Sequence, residues 1–358
     1  MNQVSGRNSR GVPIPAEVRA YLKIPEVRER IRSLQGPATR QFLTRVGLDY
    51  ALIAAAISVC VFSFGSWWLL LTYPAAVLVI AARQHGLLIL MHDATHYLAA
   101  NNRNLNEWLG ELLTAAPLFA SMHSYRKNHL EHHQALNTPN DPDWVRKIEP
   151  VDERGHWIFP AHTKLPELMA GLYKRSIGYL IRSLRDNSTS PTTTNSPSDN
   201  SLRARTRTRN LGYLVLILAL IYTKTWVYFI SLWVVPMLLV LPMLMRLRSI
   251  AEHFALAHDH PLRESRNILP NVVERFLLAP HNIGAHLDHH IVASVPVHNL
   301  PALHRLLMQC DYFRAHAHNN DGYLLGRNTL LDDMYHQTSA RLAADNESAA
   351  RLRDPAMA

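Results

Sequence analysis

Three short histidine clusters, far apart in the sequence, constrain the fold of this chain more than any other feature. They consist of His92 and His96, then His129, His132 and His133, and finally His286, His289 and His290. Residues three and four positions apart share a helix face, so each cluster places its imidazoles on one stripe. Imidazole suits iron, zinc and copper, and one zinc ion takes about four ligands. Eight imidazoles therefore predict two metal ions and a fold that brings the three clusters together.

Surface histidines are the alternative explanation, since the chain contains 21 histidines against 14 glycines. The two triple clusters, however, share one five-residue pattern with an acidic third residue, Glu131 or Asp288, which favours a repeated site. The two cysteines, Cys60 and Cys310, offer neither a Cys-x-x-Cys site nor a disulfide framework. Metal binding through histidine is thus the chemistry that the sequence indicates.

The formal net charge of +9 indicates either a nucleic acid or an anionic membrane surface as a partner. Residues 50–73 carry no charged side chain, and roughly 20 apolar residues are enough to cross a bilayer. We therefore expect membrane lipid as a partner and no nucleic acid. The arginine-rich stretch at residues 203–209 lies next to an apolar run, where cytoplasmic positive charge is expected.

The apolar runs predict an all-α integral membrane protein with four transmembrane helices arranged as two hairpins. The expected spans are residues 50–73, 75–96, 211–223 and 226–245. Pro74 is expected to start the turn of the first hairpin. Arg83 and His85 interrupt the second span, which indicates either a functional site or a helix buried in protein.

Composition divides the chain into three parts. They are a basic arm at residues 1–49, a membrane domain at residues 50–331 with a flexible loop at 186–209, and a polar tail at residues 332–358. Lysine and arginine crowd the arm, the central loop and the C-terminal third. The positive-inside rule therefore places both termini and every histidine cluster on the cytoplasmic side, with a bacterial inner membrane as the expected location.

These motifs resemble the membrane-bound fatty acid desaturase superfamily of histidine-box di-iron enzymes. The resemblance rests on the three histidine clusters and on four flanking motifs, which are Tyr125-Arg126, Asp141-Pro142-Asp143, Glu252-His253 and Val295-Pro296 with Asn299-Leu300-Pro301. It implies four spans and a cytoplasmic helical cap that holds two iron ions. It also implies O2 as a co-substrate, because the superfamily oxidises unactivated C–H bonds.

The same resemblance implies a ninth ligand and the source of electrons. His253, which lies outside the three clusters, matches a further metal ligand of the superfamily, and Asn282 matches an asparagine that acts through water. The chain departs from some members at Ser249, where they keep an asparagine. No haem-binding or iron–sulfur pattern is present, so electrons are expected from a separate carrier that is ferredoxin-like or cytochrome b5-like.

Four carboxylates are predicted to orient the ligand imidazoles through hydrogen bonds to ring N–H groups. They are Asp93, Glu131 and Asp288, which lie between ligands, and Asp141, which follows the second cluster. Direct metal ligation is the alternative for the first three, and simple turn formation is the alternative for Asp141. Of the remaining histidines, His85 and His281 are not expected to be primary ligands. His298 and His304 are expected on the surface of the last helix.

The expected activity is an O2-dependent desaturation of an acyl chain or a similar amphipathic substrate. Two alternatives keep the metal site, namely a desaturase of a small amino-acid-derived metabolite of the dihydrorhizobitoxine type, and a hydroxylase or ketolase. A non-catalytic metal transporter is the alternative of a different class, but transporters place their ligands near the bilayer midplane. The Glu-x-x-His pattern of soluble di-iron bundles occurs only at residues 153–156, in an expected loop.

Overall fold

The computed structural model describes residues 14–138, 140–143, 170, 173, 200–254, 256 and 259–336. The described chain is mostly helical. Its helices are α1 (Ala16–Tyr21), α2 (Pro25–Leu34), α3 (Thr39–Phe62), α4 (Leu69–Thr95), α5 (Arg103–Gly110), α6 (Met122–Ala135), α7 (Asn200–Thr223), α8 (Trp226–His253), α9 (Val272–Leu277), α10 (His286–Ile291), α11 (Leu300–Leu307) and α12 (Asp311–His316). Two short strands, β1 (Asn267–Ile268) and β2 (Asn319–Asn320), pair in parallel.

Three described helices are long and apolar enough to cross a membrane, namely α3, α4 and α8. Helices α3 and α4 form an antiparallel hairpin, and Ile53 of α3 packs with Ile80 of α4 and Leu232 of α8 in one apolar cluster. Helix α8 is α-helical at both ends but contains two π-helical turns, Ile230–Val234 and Pro236–Val240. Proline lacks the N–H group that an α-helix needs, which accounts for a change of helix type at Pro236.

The first predicted span is displaced, because the helix begins and ends 11 residues earlier than residues 50–73. Helix α3 starts at Thr39, and the hairpin turn lies at residues 63–68 rather than at Pro74. Pro74 sits inside α4, near its start, where it removes only one backbone hydrogen bond. Hydropathy excludes charged residues from a span, but here Asp49 is fully buried against Arg83 of the next helix.

The boundary of the flexible loop is also wrong in part. Residues 200–209, predicted as the end of that loop, form the first turns of α7, while residues 186–199 lie outside the described residues. Arg205 pairs with Glu107, and Arg209 pairs with Glu111, so α7 is held against α5 and the π-helical turn that follows it. Ion pairs between distant segments order an arginine-rich stretch that composition alone marks as unstructured.

The basic arm and the polar tail both contribute to the folded core. Val18 of α1 and Ile31 of α2 belong to the same apolar cluster as Leu303 of α11, so the fold starts well before residue 50. At the other end, residues 330–336 are helical. Asp333 there pairs with the fully buried Arg266 at 2.8 Å, so the fold extends past residue 331. The described chain thus lacks the sharp boundaries predicted at 49 and 331.

The C-terminal half of α4 lies at the centre of the protein. Nearly every residue from 80 to 95 is buried, whereas the first half of the helix is mostly exposed or half-buried. Helices α3, α6, α8 and α9 all pack against α4. The histidines at its C-terminal end are therefore delivered into the protein interior, where the other clusters meet them.

The space around Gly86 shows how tightly α3 and α4 are packed. A Cβ atom at Gly86 would lie 2.5 Å from Asp49 Oδ2, and Asp49 is fixed by Arg83 and His281. We expect Gly86→Ala to lower the free energy of unfolding by about 1–3 kcal/mol through overpacking. Thermal unfolding of the detergent-solubilised protein measures this effect.

Gly47→Ala is the matched control for that substitution. Gly47 also lies inside a long helix, but a Cβ atom there would have no heavy atom within 4 Å. Alanine in an unobstructed helix interior is favoured over glycine by roughly 0.5–1 kcal/mol, so the control should unfold at the same or a slightly higher temperature. Equal unfolding temperatures for the two variants would contradict the described packing.

Candidate metal centre

The nine histidines singled out in the sequence meet in two adjoining groups. The first histidine group contains His92, His96, His129, His133 and His289. The second histidine group contains His132, His253, His286 and His290. Within each group the candidate ligand nitrogens all lie within 4.8 Å of one another. The three clusters and the separate His253 thus converge as a shared site requires.

Each triple cluster is divided between the two groups. His129 and His133, four residues apart, enter the first group, while His132 enters the second. In the last cluster, His286 and His290 enter the second group, while His289 enters the first. Positions three and four residues along a helix differ by about 100° in direction. One helical turn therefore contributes histidines to both groups, so the two groups share their supporting helices.

The spacing of the ring nitrogens within the groups is short and uniform. In the first group, Nε2 of His129 lies 2.9 Å from that of His96 and 3.0 Å from that of His133. In the second, Nε2 of His286 lies 3.0 Å from that of His253 and 3.1 Å from that of His290. Two nitrogens bound to one ion at about 2.1 Å lie about 3 Å apart when they subtend a right angle. These separations match neighbouring ligands of a single ion.

The donor set fits a cation better than it fits mutual hydrogen bonds. A neutral imidazole has one donor and one acceptor nitrogen, so several rings facing one another cannot all be satisfied. Both ring nitrogens of His92 are buried without a hydrogen-bond partner among the described residues. Leaving buried polar atoms unpaired is costly, and a metal ion would engage the lone pair on one of these two nitrogens. Each histidine group is therefore suited to one metal ion.

Burial keeps these imidazoles in the neutral form that binds metal. It lowers the pKa of His96 to about 4, helped by the nearby charge of Arg126. Burial first, and repulsion from other histidines second, holds the pKa well below its usual range for His129, His133, His286, His289 and His290. A lone pair is thus available on each ring at neutral pH.

Two carboxylates contact ligand imidazoles from outside the groups. Asp141 accepts a hydrogen bond from His132 Nδ1 at 2.9 Å, and the backbone N–H groups of Asn137 and Asp143 fix the same carboxylate. This contact directs His132 Nε2 toward the second group. Glu252 Oε1 lies 3.3 Å from His286 Nδ1 and 2.5 Å from Arg248 Nε. Sequence reasoning used Glu252 only as a motif residue, although its position beside His253 is a signal for this role.

The other three predicted carboxylates do not orient ligand imidazoles in the described structure. Glu131 is exposed, because a helix that turns three histidines inward turns the residue between them outward. Asp93 instead accepts a hydrogen bond from the backbone N–H of Val297 at 3.1 Å. Asp288 accepts hydrogen bonds from His304 Nδ1 at 2.8 Å and from the Asn267 amide at 2.9 Å. These buried carboxylates fix the backbone around the site.

Asn282 and His304 have surroundings in the structure that differ from those expected from the sequence. The side-chain amide of Asn282 donates to the carbonyl of Val297 at 3.3 Å. Its backbone is left-handed, with φ of 67°, a conformation that asparagine adopts readily. His304, expected on a helix surface, is buried against Asp288. Its spacing from Leu300 and Leu307 on α11 puts it on the apolar face, which is the signal that was missed.

Tyr125 and Arg126 join the second cluster to the first. The Tyr125 ring stacks on His129 with a centroid separation of 5.3 Å and an interplanar angle of 8°. Arg126 donates to the carbonyl oxygens of Ala94 and Thr95, at the C-terminal end of α4. A guanidinium group satisfies such terminal carbonyls and complements the negative end of the helix dipole. The helix that carries His129 is thereby fixed to the helix that carries His92.

Comparison with known proteins shows what this chain is similar to. A profile of the family described as "Fatty acid desaturase" matches residues 65–320. The dihydrorhizobitoxine desaturase of Bradyrhizobium elkanii is 31% identical over 281 residues, which make up 74% of this chain and 74% of that protein. The profile match includes all nine histidines of the two groups.

The contact between Asp141 and His132 predicts a selective effect on metal affinity. We expect Asp141→Asn to weaken metal binding about 10- to 100-fold, because the ring loses the charged acceptor that orients it. Metal content of the purified protein after titration with a chelator measures this change. Glu131→Gln is the matched control, since it removes an acidic residue that is exposed. Equal metal loss in both variants would contradict the assignment.

The lowered pKa values predict acid sensitivity of the metal-free protein. Below about pH 6.5 the histidines of the unfolded chain take up protons, whereas burial opposes protonation of the same imidazoles in the folded protein. The free energy of unfolding therefore falls as the pH is lowered. For His96 this loss continues to about pH 4. Asp288, whose pKa is raised by burial, acts in the opposite direction but is outnumbered. Unfolding temperatures of chelator-treated protein should fall between pH 7 and pH 5, and a constant or rising value would refute the assignment.

Proposed function

This chain belongs to the fatty acid desaturase family, and from that premise we propose that it is an O2-dependent di-iron desaturase. It would introduce a C=C bond into an acyl chain or a similar amphipathic substrate. The observation that carries the proposal is the convergence of nine histidines from four helices into two adjoining groups. Family membership and the desaturase name of the relative support an oxidoreductase.

The roles of the chain's own residues follow from their positions. Iron bound in the two histidine groups would supply the O2 chemistry needed to oxidise an unactivated C–H bond, which side chains alone cannot perform. The imidazoles would hold the ions as neutral ligands. A hydrogen bond to Asp141 fixes the orientation of His132, and the Glu252 carboxylate lies 3.3 Å from His286 Nδ1. Burial of the histidines excludes bulk water from the reaction. Electrons would arrive from a separate ferredoxin-like or cytochrome b5-like carrier.

The proposed topology has four spans, with both termini and the metal centre on the cytoplasmic side of a bacterial inner membrane. Helices α3, α4 and α8 have the length and apolar composition for three spans. Helix α7 is the proposed fourth, since its second half exposes apolar side chains such as Leu211, Leu218 and Ile221. The arginines in its first half would remain on the cytoplasmic side.

A small amino-acid-derived substrate is the second candidate. It is favoured by the similarity to the dihydrorhizobitoxine desaturase along three quarters of both chains. Hydroxylation or ketone formation remains the alternative outcome at the same site, since the outcome depends on where the substrate carbon is held. Mass spectrometry of lipids and small metabolites from a deletion strain and its parent would distinguish these substrates and products.

Replacement of single ligands tests the proposal directly. His132→Ala and His289→Ala each remove one nitrogen from a different histidine group. We expect iron content to fall by about half or more and the product to fall to background, because an open-sided group binds metal far more weakly. Elemental analysis of the purified protein and product analysis in the expressing strain measure the two effects.

His123→Ala is the control, since His123 is exposed and lies outside both groups. It should retain the iron and the product of the unaltered protein. Survival of both iron and product in the His132→Ala and His289→Ala variants would overturn the proposed metal centre. Metal flux into vesicles without any oxidised product would indicate a transporter instead.

A further inference from the structure

A buried polar cluster joins the α3–α4 hairpin to His281, and its members lie outside both histidine groups. Arg83 Nη1 contacts Asp49 Oδ1 at 3.3 Å, and His281 Nε2 contacts Asp49 Oδ2 at 2.7 Å. Asp49 and Arg83 belong to candidate membrane spans, and both are buried. Ionisable groups inside a span are costly and usually serve a function.

His85, in the same region, has no hydrogen-bond partner among the described residues. Its side chain is fully buried, and neither Nδ1 nor Nε2 has a hydrogen-bond partner among the described residues. A buried imidazole without partners is destabilising, so a native protein normally supplies them from water, an ion or a ligand. His85 is outside both histidine groups, and the proposed reaction assigns it no role.

The position of His85 on α4 relates it to the metal centre. His85, Ile89, His92 and His96 are spaced i, i+4, i+7 and i+11, so they lie on one face of the helix. Seven residues separate His85 from His92, which corresponds to about 10 Å along the helix axis. The unpaired imidazole therefore lies below the first histidine group, on the side toward the start of the span.

The charges around His85 indicate what kind of group it would bind. Arg83, Arg248 and His281 are its charged or titratable neighbours. Arg83 is paired with Asp49, His281 contacts the same carboxylate, and Arg248 is paired with Glu252. Each of these positive groups therefore already contacts a carboxylate, so none of them is left to bind an anion. A neutral imidazole offers one donor and one acceptor nitrogen, which suits an uncharged hydroxyl, ether or carbonyl group.

We propose that His85 is a substrate-recognition residue that hydrogen-bonds an uncharged oxygen of the substrate about 10 Å from the metal-binding face. This inference rests on the proposed function and narrows it. The substrate would carry a polar group on the far side of its reacting carbon, in addition to any head group. A plain hydrocarbon tail would leave the imidazole unsatisfied, so a substrate with oxygen at both ends fits this site better.

Binding measurements without turnover test the proposal. The full-length, iron-loaded protein in detergent is titrated calorimetrically with saturated fatty acids and with ω-hydroxylated acids of the same chain lengths. We expect the hydroxylated acid of the best-fitting length to bind about five- to tenfold more tightly, as one hydrogen bond to a neutral group provides. No preference at any chain length would overturn the proposal.

Two variants of similar volume separate hydrogen bonding from packing. His85→Met should bind both acids equally, because it has no strong donor or acceptor, whereas His85→Gln should keep most of the preference. A preference that persists in His85→Met overturns the proposal. Iron content shows whether each variant is folded, and if neither folds, the preference of the unaltered protein decides. Failure here with normal iron content and normal desaturation would leave the proposed function intact.

Discussion

The fold depends on imidazole lone pairs that face one another inside the protein. Rings from α4, α6, α8 and α10 meet within 4.8 Å in two groups, and burial keeps them neutral. Such an arrangement is costly in itself because neutral rings cannot all satisfy one another. Two metal ions would convert this cost into binding free energy, which links the folded state to the proposed cofactor. The polar contacts around the two histidine groups stabilise this arrangement of the rings.

Several of those polar contacts are buried hydrogen bonds between separate segments of the chain. Asn267 and Asp288 exchange hydrogen bonds, since the Asn267 amide donates to Asp288 Oδ1 and the Asp288 N–H donates to Asn267 Oδ1. His304 donates to the other oxygen of Asp288. Helix α10 has only six residues, too few to be stable alone. Buried polar contacts therefore hold in place a helix that its own backbone could not maintain.

The helices that would cross the membrane show a related principle. Hydropathy identified apolar runs near every long helix, but it displaced α3 by 11 residues and ended α8 at residue 245 rather than at His253. Arg83 and Asp49 neutralise each other between α3 and α4, so the charge of Asp49, which composition places outside the first span, is accommodated within it. His85, which has no hydrogen-bond partner among the described residues, lies on the helix face that carries His92, and its proposed role in substrate recognition rests on that position.

The sequence alone determined the helical class, eight of the nine histidines and the expectation of two metal sites, while the ninth histidine, His253, was identified through the family resemblance. Spacing is a local property, and three- and four-residue intervals have one geometric meaning on a helix. Only the tertiary structure decided how His132 and His289 leave their neighbours to join the opposite groups. It also decided that Asp141 reaches a ligand ring while Glu131 faces outward and Asp288 binds His304. These outcomes depend on helix rotation and on how separate segments of the chain pack together, as where His133 meets His289, 156 residues away, and no local pattern encodes them.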